Sequence, residues 1–489
     1  MQRNVLHVLH VNGFKTGPRT GVCLSFQTLT QLCMGLGLFI LWMAYSPAAM
    51  AQSQQISTTQ TLSFASLLAK AQQQDPEQQR LSHLGQAQQA DALSQTGWLN
   101  PKVKVGVGGL PTDSFALDQD MMTNLSVGIM QPFNRGDSAE IAKQRSDIAQ
   151  LQTVQQLSLR RLMLQQQLGQ LWVEWVYRSK LDQLLQRQKQ LLSQRVRDAK
   201  RNYELGRAEA EALAASELAL SQTKQLQLSN AQMKAQIWAQ LSQFVPHLAA
   251  QDSADMTLSY PDWQQLTLRL VDLPESVDEQ LATLMPLWQQ HPMLGQSAEQ
   301  IALAQNQVAM AQTALDPQFA VELMYANRQA KTMSGERAPD LMSVALTMDM
   351  PLFDQTRQDQ GVVSAKAKLA AAKAQRDLIG RQVQAQLQSA LSQRQYLQLR
   401  LKQFHQQLLR DSQAQRRAIA RGYEADRNTL MELIQAELAF NQQQQAALRL
   451  TADLALQQNQ LAYLLGFDLD RASLAPRHAQ EARDEAHAE

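Results

Sequence analysis

The chain is poor in the residues that would anchor metal or thiol chemistry. Its 489 residues include only two cysteines, Cys23 and Cys33, both near the start. If that start is removed, as argued below, disulfides and thiolate metal sites are excluded. No GxxxxGK[ST] phosphate loop and no HExxH motif occurs, and Gly106-Val107-Gly108-Gly109 reads as strand rather than nucleotide loop. His83, His247, His291 and His405 are scattered, with His478 and His487 near the C-terminus. A metal centre needs convergent ligands, so these read as isolated surface histidines. Met324, Met348 and Met350 lie on or beside strands, where packing is the ordinary role. No catalytic residue, cofactor or metal site is expected, and the chain does not read as an enzyme.

Long apolar runs are also missing. Past the first 51 residues nothing approaches 18 consecutive apolar residues, so no membrane helix is expected there. Residues 1–51 carry Arg3, Lys15 and Arg19, and no further charge appears before Lys70. The run Leu36 to Tyr45 is short for a span, and it ends in Ser46-Pro47 and Ala49-Met50-Ala51, a small-residue cleavage pattern. It reads as a secretory leader cut after Ala51; the alternative is an uncleaved anchor. Neither cysteine follows a lipoprotein-type small-residue box. Removing the leader takes 45 basic against 44 acidic residues to 42 against 44, a net charge near −2. That balance argues against general nucleic-acid binding.

Proline is absent between Pro132 and Pro246 and again between Pro351 and Pro476. Ser138 to Leu205 predicts one helix of about 100 Å and Arg357 to Arg421 a second of about 98 Å. In the first, Leu157, Leu164 and Leu171 are spaced by seven, with Leu168 and Trp175 between. Leu185 and Leu192 continue the row, interrupted by Arg178, Asp182 and Lys189. Such a helix cannot be buried in an ordinary domain and must pack laterally on other long helices.

The chain repeats itself. Asp75-Pro76 recurs as His291-Pro292 and Asn100-Pro101 as Asp316-Pro317, both 216 apart. Gln131-Pro132-Phe133 recurs as Met350-Pro351-Leu352 at 219, and Tyr203-Glu204 with Arg207 as Tyr423-Glu424 with Arg427 at 220. An ordered series with so little drift marks a tandem duplication. The expected division is leader 1–51, first unit 52–245, connection 246–277, second unit 278–466 and a disordered tail 467–489.

Each unit opens with a short helix, about 76–97 and 292–314, after its X-Pro break. The period then changes from helical to two. Val103, Val105 and Val107 alternate with polar or small residues, as do Leu125, Val127 and Ile129. Phe319, Val321, Leu323 and Tyr325, then Val344, Leu346 and Met348, do the same. These are four strands of about nine to eleven residues, long enough to cross a bilayer when tilted. Two soluble hairpins packed on helices are the alternative. Four strands cannot close a barrel and open edges are forbidden in lipid, so transmembrane strands would require several chains to share one barrel. Val105, Val127, Val321 and Val344 are the lipid-facing candidates. After the long helices, returning helices are expected at about 208–243 and 429–465.

The repeated order of helix, two strands, long helix and return helix, with "QPF" and "MPLFD" junctions, resembles the TolC family of outer-membrane efflux proteins. The resemblance covers about 62–466. "HPML", "DPQF" and "MPLFDQTRQDQG" are most similar to its heavy-metal efflux branch. It implies an α+β membrane protein: a homotrimer whose four strands per chain make a twelve-stranded β-barrel continuous with a long periplasmic α-helical barrel. It implies outer-membrane lipid around the strands, a periplasmic adaptor and an inner-membrane efflux transporter as partners, and passive conduction. The alternatives are a drug-efflux or protein-secretion outer-membrane channel, or a periplasmic coiled-coil scaffold without a pore.

In that family the helix-reversal turns form the periplasmic tip. Here they hold Tyr203, Glu204, Gly206, Arg207 and Glu209 in the first unit and Tyr423, Glu424, Asp426 and Arg427 in the second. Gly206 suits a left-handed helix stop. The second unit has Asp426 where glycine is usual, with Gly422 four residues earlier as a competing position.

Overall fold

The structure, a computed structural model, describes residues 62–469 except 96, 247, 249–255, 264, 265, 267–273, 275 and 351–355. The expected leader with both cysteines, His247, the Pro351-Leu352 junction, much of the connection, and the tail beyond 469 with His478 and His487 lie outside the described residues.

The elements run α1 (Phe64–Gln74), α2 (Pro76–Ser94), β1 (Lys102–Gly108), β2 (Asn124–Pro132), α3 (Ser138–Glu204) and α4 (Ala210–Phe244). The second series is α5 (Val277–Trp288), α6 (Pro292–Gln312), β3 (Gln318–Asn327), β4 (Leu341–Asp349) and α7 (Thr356–Gln403). One π turn (Phe404–Leu409) joins α7 to α8 (Arg410–Glu424), and α9 (Leu430–Leu464) returns. The first long helix is continuous over 67 residues, and the second runs the expected course with one π turn inside it. β1, at seven residues, is shorter than anticipated.

The X-Pro breaks separate two helices rather than opening the first one. Asp75 caps α2 by accepting from the Glu77 N–H, and His291 caps α6 by accepting the Met293 N–H on Nδ1 at 3.2 Å. Proline at N1 costs no hydrogen bond there. The helices that precede these breaks, α1 and α5, were not foreseen from sequence. Each covers the long helix of its own series. Phe64, Leu67 and Leu68 of α1 pack with Leu164, Leu168 and Trp172 of α3 and Leu241 of α4. Leu281, Leu284 and Trp288 of α5 pack with Val383 and Leu387 of α7 and Leu461 and Leu464 of α9. Burial of each such side chain stabilises by about 1.5–3 kcal/mol, so these two clusters fix the middle of the molecule. The connection ties them together. Met256 joins the first cluster, Trp263 and Leu266 join the second, and the Trp172 indole donates to the Ser259 carbonyl at 2.8 Å.

The strands form one antiparallel sheet in the order β1-β2-β3-β4. The helices next to it keep that order: α2 packs on α3, α3 on α6 and α6 on α7. Farther from the sheet, α4 packs on α3, α3 on α9 and α9 on α7 and α8. The chain is therefore a layer four elements wide from end to end. One lateral edge is β1, α2 and α4; the other is β4, α7 and α8.

In α3 the expected row is buried at Leu164, Leu168, Trp175, Leu185 and Leu192, while Leu157 and Leu171 are half-buried. Trp172, Val173 and Val176 are buried as well, because α3 has helices on several sides. Its neighbours are held by polar contacts. Asn230 of α4, Asn306 of α6 and Asn441 and Asn459 of α9 are all buried. Each donates its side-chain amide to an α3 carbonyl, at Arg178, Ile141, Leu184 and Gln166 respectively, over 2.8–3.1 Å. The Asn441 oxygen also accepts from Gln445 at 2.6 Å, and such buried amides fix the axial register of a helix pair at some cost in stability.

Candidate functional site

The two helix reversals have the same backbone. In the first, the Gly206 N–H donates to the Tyr203 carbonyl (2.9 Å) and the Arg207 N–H to the Asn202 carbonyl (2.8 Å). In the second, Asp426 donates to Tyr423 (3.1 Å) and Arg427 to Gly422 (2.8 Å). These pairs are the two bonds of a Schellman stop. The residue at its left-handed position is Gly206 at φ 66° and Asp426 at φ 55°. Asp426, not Gly422, ends the second helix. Gly422 stays helical because its missing Cβ leaves room for the Asn428 side chain.

Tyr203, Glu204, Gly206, Arg207 and Glu209 are exposed, as are Tyr423, Glu424, Asp426 and Arg427. The turns thus bring each group together at the end of a helix about 100 Å long, with no ion pair between described residues involving them. The returning helices begin differently. Glu209 at the start of α4 makes no side-chain cap. Thr429 forms a capping box with Glu432, whose carboxylate accepts the Thr429 N–H at 2.8 Å. The Thr429 N–H, Asn428 and the Thr429 hydroxyl hold that carboxyl below its usual range. The Thr429-to-Glu432 spacing is itself a capping signature in the sequence. Above the turns, Glu437 of α9 takes Arg416 of α8 at 3.0 Å and Arg187 of α3 at 3.6 Å.

At the sheet, the register sorts side chains by face. Val105 pairs directly with Val127, Val127 with Tyr325, Val321 with Leu346, and Leu323 with Val344. Since alternate residues share a face, the four candidate valines lie on one apolar face with Val103, Ile129, Phe319 and Met348. Val105 is 80 % and Val344 73 % exposed. The opposite face holds Lys104, Ser126, Glu322, Ser343 and Thr347. There Lys104 reaches over Gly128 to Glu322 at 2.6 Å. At the helix end of the apolar face, Trp98, itself 80 % exposed, meets Phe133 edge-on at 6.1 Å. So continuous an apolar surface on a single chain marks contact with lipid or protein.

The middle of the molecule carries a polar network that sequence spacing did not suggest. Glu174 of α3 accepts from Arg449 of α9 at 2.9 Å, and Arg449 also holds Asp453 at 2.7 Å. Arg449 lies 4.9 Å from the Tyr177 ring centre, and Lys180 lies 4.8 Å from that of Tyr260. Burial first, then the nearby Glu174 carboxylate, push the Tyr260 hydroxyl up to about 12, so it is a neutral phenol. Burial alone lowers the Lys180 pKa. Asp75 forms a bidentate pair with Arg160, both bonds 2.8 Å. Burial works against ionising Asp75, yet Arg160 and the Glu77 N–H hold its carboxyl below the usual range. His291 is buried, donates from Nε2 to the Tyr463 carbonyl at 2.9 Å, and has its pKa lowered by that burial. It is a helix cap rather than the surface histidine expected. These groups brace helices against one another. Among the described residues no cluster of His, Cys, Asp or Glu could hold a metal ion, and no helix is long and apolar enough to cross a membrane.

Residues 286–467 match the outer membrane efflux protein family. No curated protein matches the chain. Among solved structures, it is similar to CusC, described through the conformational changes that accompany its folding and transmembrane channel formation, at 14 % identity and a TM-score of 0.64. That match covers 82 % of this chain and 92 % of CusC. The Vibrio cholerae outer membrane protein VceC is similar at 13 % identity and TM-score 0.64, covering 82 % and 96 %. The open outer membrane channel MtrE of Neisseria gonorrhoeae is similar at 14 % and 0.61, covering 83 % and 89 %.

Proposed function

We propose that this chain, whose residues 286–467 match the outer membrane efflux protein family and whose fold is that of outer-membrane channels over most of its length, is an exit duct for efflux. The observation that carries this reading is the four-element-wide layer with an apolar outer face on its sheet. Its two sheet edges, β1 and β4, have no partner strand among the described residues. Open edges in hydrocarbon cost several kcal/mol per unpaired backbone group. A ring of copies, β1 of one beside β4 of the next, removes both edges. Three copies make twelve strands in the outer membrane and twelve helices side by side in the periplasm. The polar face of Lys104, Ser126 and Glu322 then lines the bore, and Val105, Val127, Val321 and Val344 face lipid.

The partners the sequence resemblance implies are an inner-membrane efflux transporter to drive transport and a periplasmic adaptor to reach it. The exposed tip residues Tyr203 to Glu209 and Tyr423 to Arg427 are the mouth and the adaptor contact. Heavy-metal cations are the cargo to which the sequence resemblance points. A pore-free scaffold is disfavoured by the apolar sheet face, which such a protein would leave in water. The test is purification of the outer-membrane fraction and reconstitution in planar bilayers. Heat-modifiable trimers with discrete conductance steps are expected; a monomer in detergent without conductance would overturn the reading. Export of metal salts against organic drugs by resistance in a deletion strain decides the cargo.

A further inference from the structure

A groove of about 820 Å³ runs between α5, α6 and α7. Its apolar side is Met285, Trp288 and Leu294, and its α7 side presents Arg376, Asp377 and Arg381. Both arginines are exposed, and neither forms an ion pair with a described residue. They belong to a basic strip, since residues 356–384 hold Arg357, Lys366, Lys368, Lys373, Arg376 and Arg381 against Asp359 and Asp377. Lys366, Lys368 and Lys373 are exposed too. The neighbouring helix across the proposed seam, α2, offers only Asp91 and an already paired Glu77 as acids. With six basic residues against Asp359 and Asp377, and Glu299 as the one acid of the adjoining α6, the strip keeps a positive excess.

The described chain ends beside this groove. After α9, Gly466 turns at φ 70° and a Cβ there would lie 3.6 Å from His291. Phe467 packs against the cluster that contains Trp288, with Met285 and Leu294 beside it. Gln165 pins the next step by donating to the Phe467 carbonyl at 2.7 Å and accepting the Leu469 N–H at 2.9 Å. Residues 470–489 follow, a length that reaches at most about 70 Å when extended. Over 481–489 they carry Glu481, Asp484, Glu485 and Glu489 against a single Arg483, and Leu474 supplies an apolar residue upstream.

We propose that residues 470–489 dock in this groove of their own chain, Leu474 against the Trp288 side and Glu481, Asp484 and Glu485 against Arg376 and Arg381. The charges are complementary, the exit point is contiguous with the groove's apolar wall, and one chain supplies both. Docked so, the segment straps α5 and α6 to α7. The comparison with α2 rests on the proposed ring of copies; the groove, the exit point and the complementary charges belong to one chain and stand without it.

The experiment places a photo-crosslinking amino acid at Gln384, inside the groove, in the full-length protein, and maps the adducts by mass spectrometry. Adducts within the same chain to residues 474–489 are expected. The double reversal Arg376→Glu with Arg381→Glu should lower their yield about tenfold, because two attractive exposed pairs become repulsive. Adding Glu481→Arg, Asp484→Arg and Glu485→Arg to that background should restore it. Thermal unfolding of each variant separates loss of docking from loss of fold: the reversal counts only if its melting temperature is retained, and failing that, Glu481→Arg with Glu485→Arg alone must lower the yield. Adducts to lipid or to another chain instead, or yields insensitive to every reversal, would overturn the proposal.

Discussion

Gly169 of α3 lies directly against Asn459 of α9: a Cβ on the glycine would overlap the asparagine side chain, whose amide donates to the Gln166 carbonyl at 2.8 Å. Asn459 is wholly buried. Close approach of the two backbones and the polar contact are thus one feature. Gly169→Ala should destabilise the protein by about 1–3 kcal/mol through overpacking. In an Asn459→Ala background the same change should cost much less, because the two sites are coupled. Thermal unfolding of the four proteins measures the coupling, and simple additivity would refute it.

Asp75 and Arg160 make a buried bidentate pair that also caps α2. Arg160→Leu leaves a buried carboxylate alone and should cost about 3 kcal/mol. Neutralising the acid as well, with Asp75→Asn, should recover part of that loss because Asn still caps. Denaturant unfolding at neutral pH checks both steps.

His291 accepts the Met293 N–H on Nδ1 and donates from Nε2 to Tyr463, so it is held as the neutral ring. Burial lowers its pKa from 6.5. Below that value the unfolded chain takes up a proton that the folded chain resists. Its stability contribution is therefore complete above pH 6.5 and is lost as pH falls from there towards the lower folded value. The melting temperature should drop between about pH 7.5 and pH 5, and His291→Asn, which keeps a cap without titrating, should flatten that drop.

The sheet faces make opposite predictions for arginine. Val127→Arg and Val321→Arg each place a charge on the apolar face and should cost about 2–4 kcal/mol if that face meets lipid at mid-membrane. Ser126→Arg, on the other face, should assemble. Yields of heat-modifiable trimer in the outer-membrane fraction distinguish the two sets, and equal yields would show the faces to be misassigned.

At the turns, Gly206→Ala forces an L-residue to φ 66° and should destabilise locally by about 1 kcal/mol. Asp426→Gly relieves the same strain and should raise the melting temperature slightly. Arg207→Glu and Arg427→Glu should alter single-channel current or adaptor crosslinking while trimer yield stays normal. Unchanged current, crosslinking and export resistance would leave these residues as solvated turn residues only.

Much of this arrangement is legible in the chain. Alternation at Val103, Val105 and Val107 and at Phe319, Val321 and Leu323 gives the strands and their faces, because a period of two admits no other reading. The proline-free stretches give the long helices. The helices α1 and α5 escaped because their neighbours Asp75-Pro76 and His291-Pro292 look like the start of order, and a helix ending there shares the signal with one beginning. Asn230, Asn306, Asn441 and Asn459 were invisible as contacts, since a lone asparagine in a glutamine-rich helix carries no pattern until a second helix is laid beside it. Asp426 and Gly422 could not be ranked from type alone; the hydrogen bonds to Tyr423 and Gly422 decide between them.

The π turn at Phe404–Leu409 accounts for a small arithmetic excess. From Pro132 to Tyr203 the chain advances 71 residues, and from Pro351 to Tyr423 it advances 72. One extra residue in a regular α-helix swings everything beyond it by about 100°, which would turn the second tip's side chains away from the azimuth of the first. A wider turn absorbs the surplus residue and returns the helix to phase. Both tips end in the same pair of backbone hydrogen bonds, at Gly206 and Arg207 in one and at Asp426 and Arg427 in the other. A threefold ring of this chain would then show a visitor at its mouth six similar turns, close to a hexagon rather than a triangle.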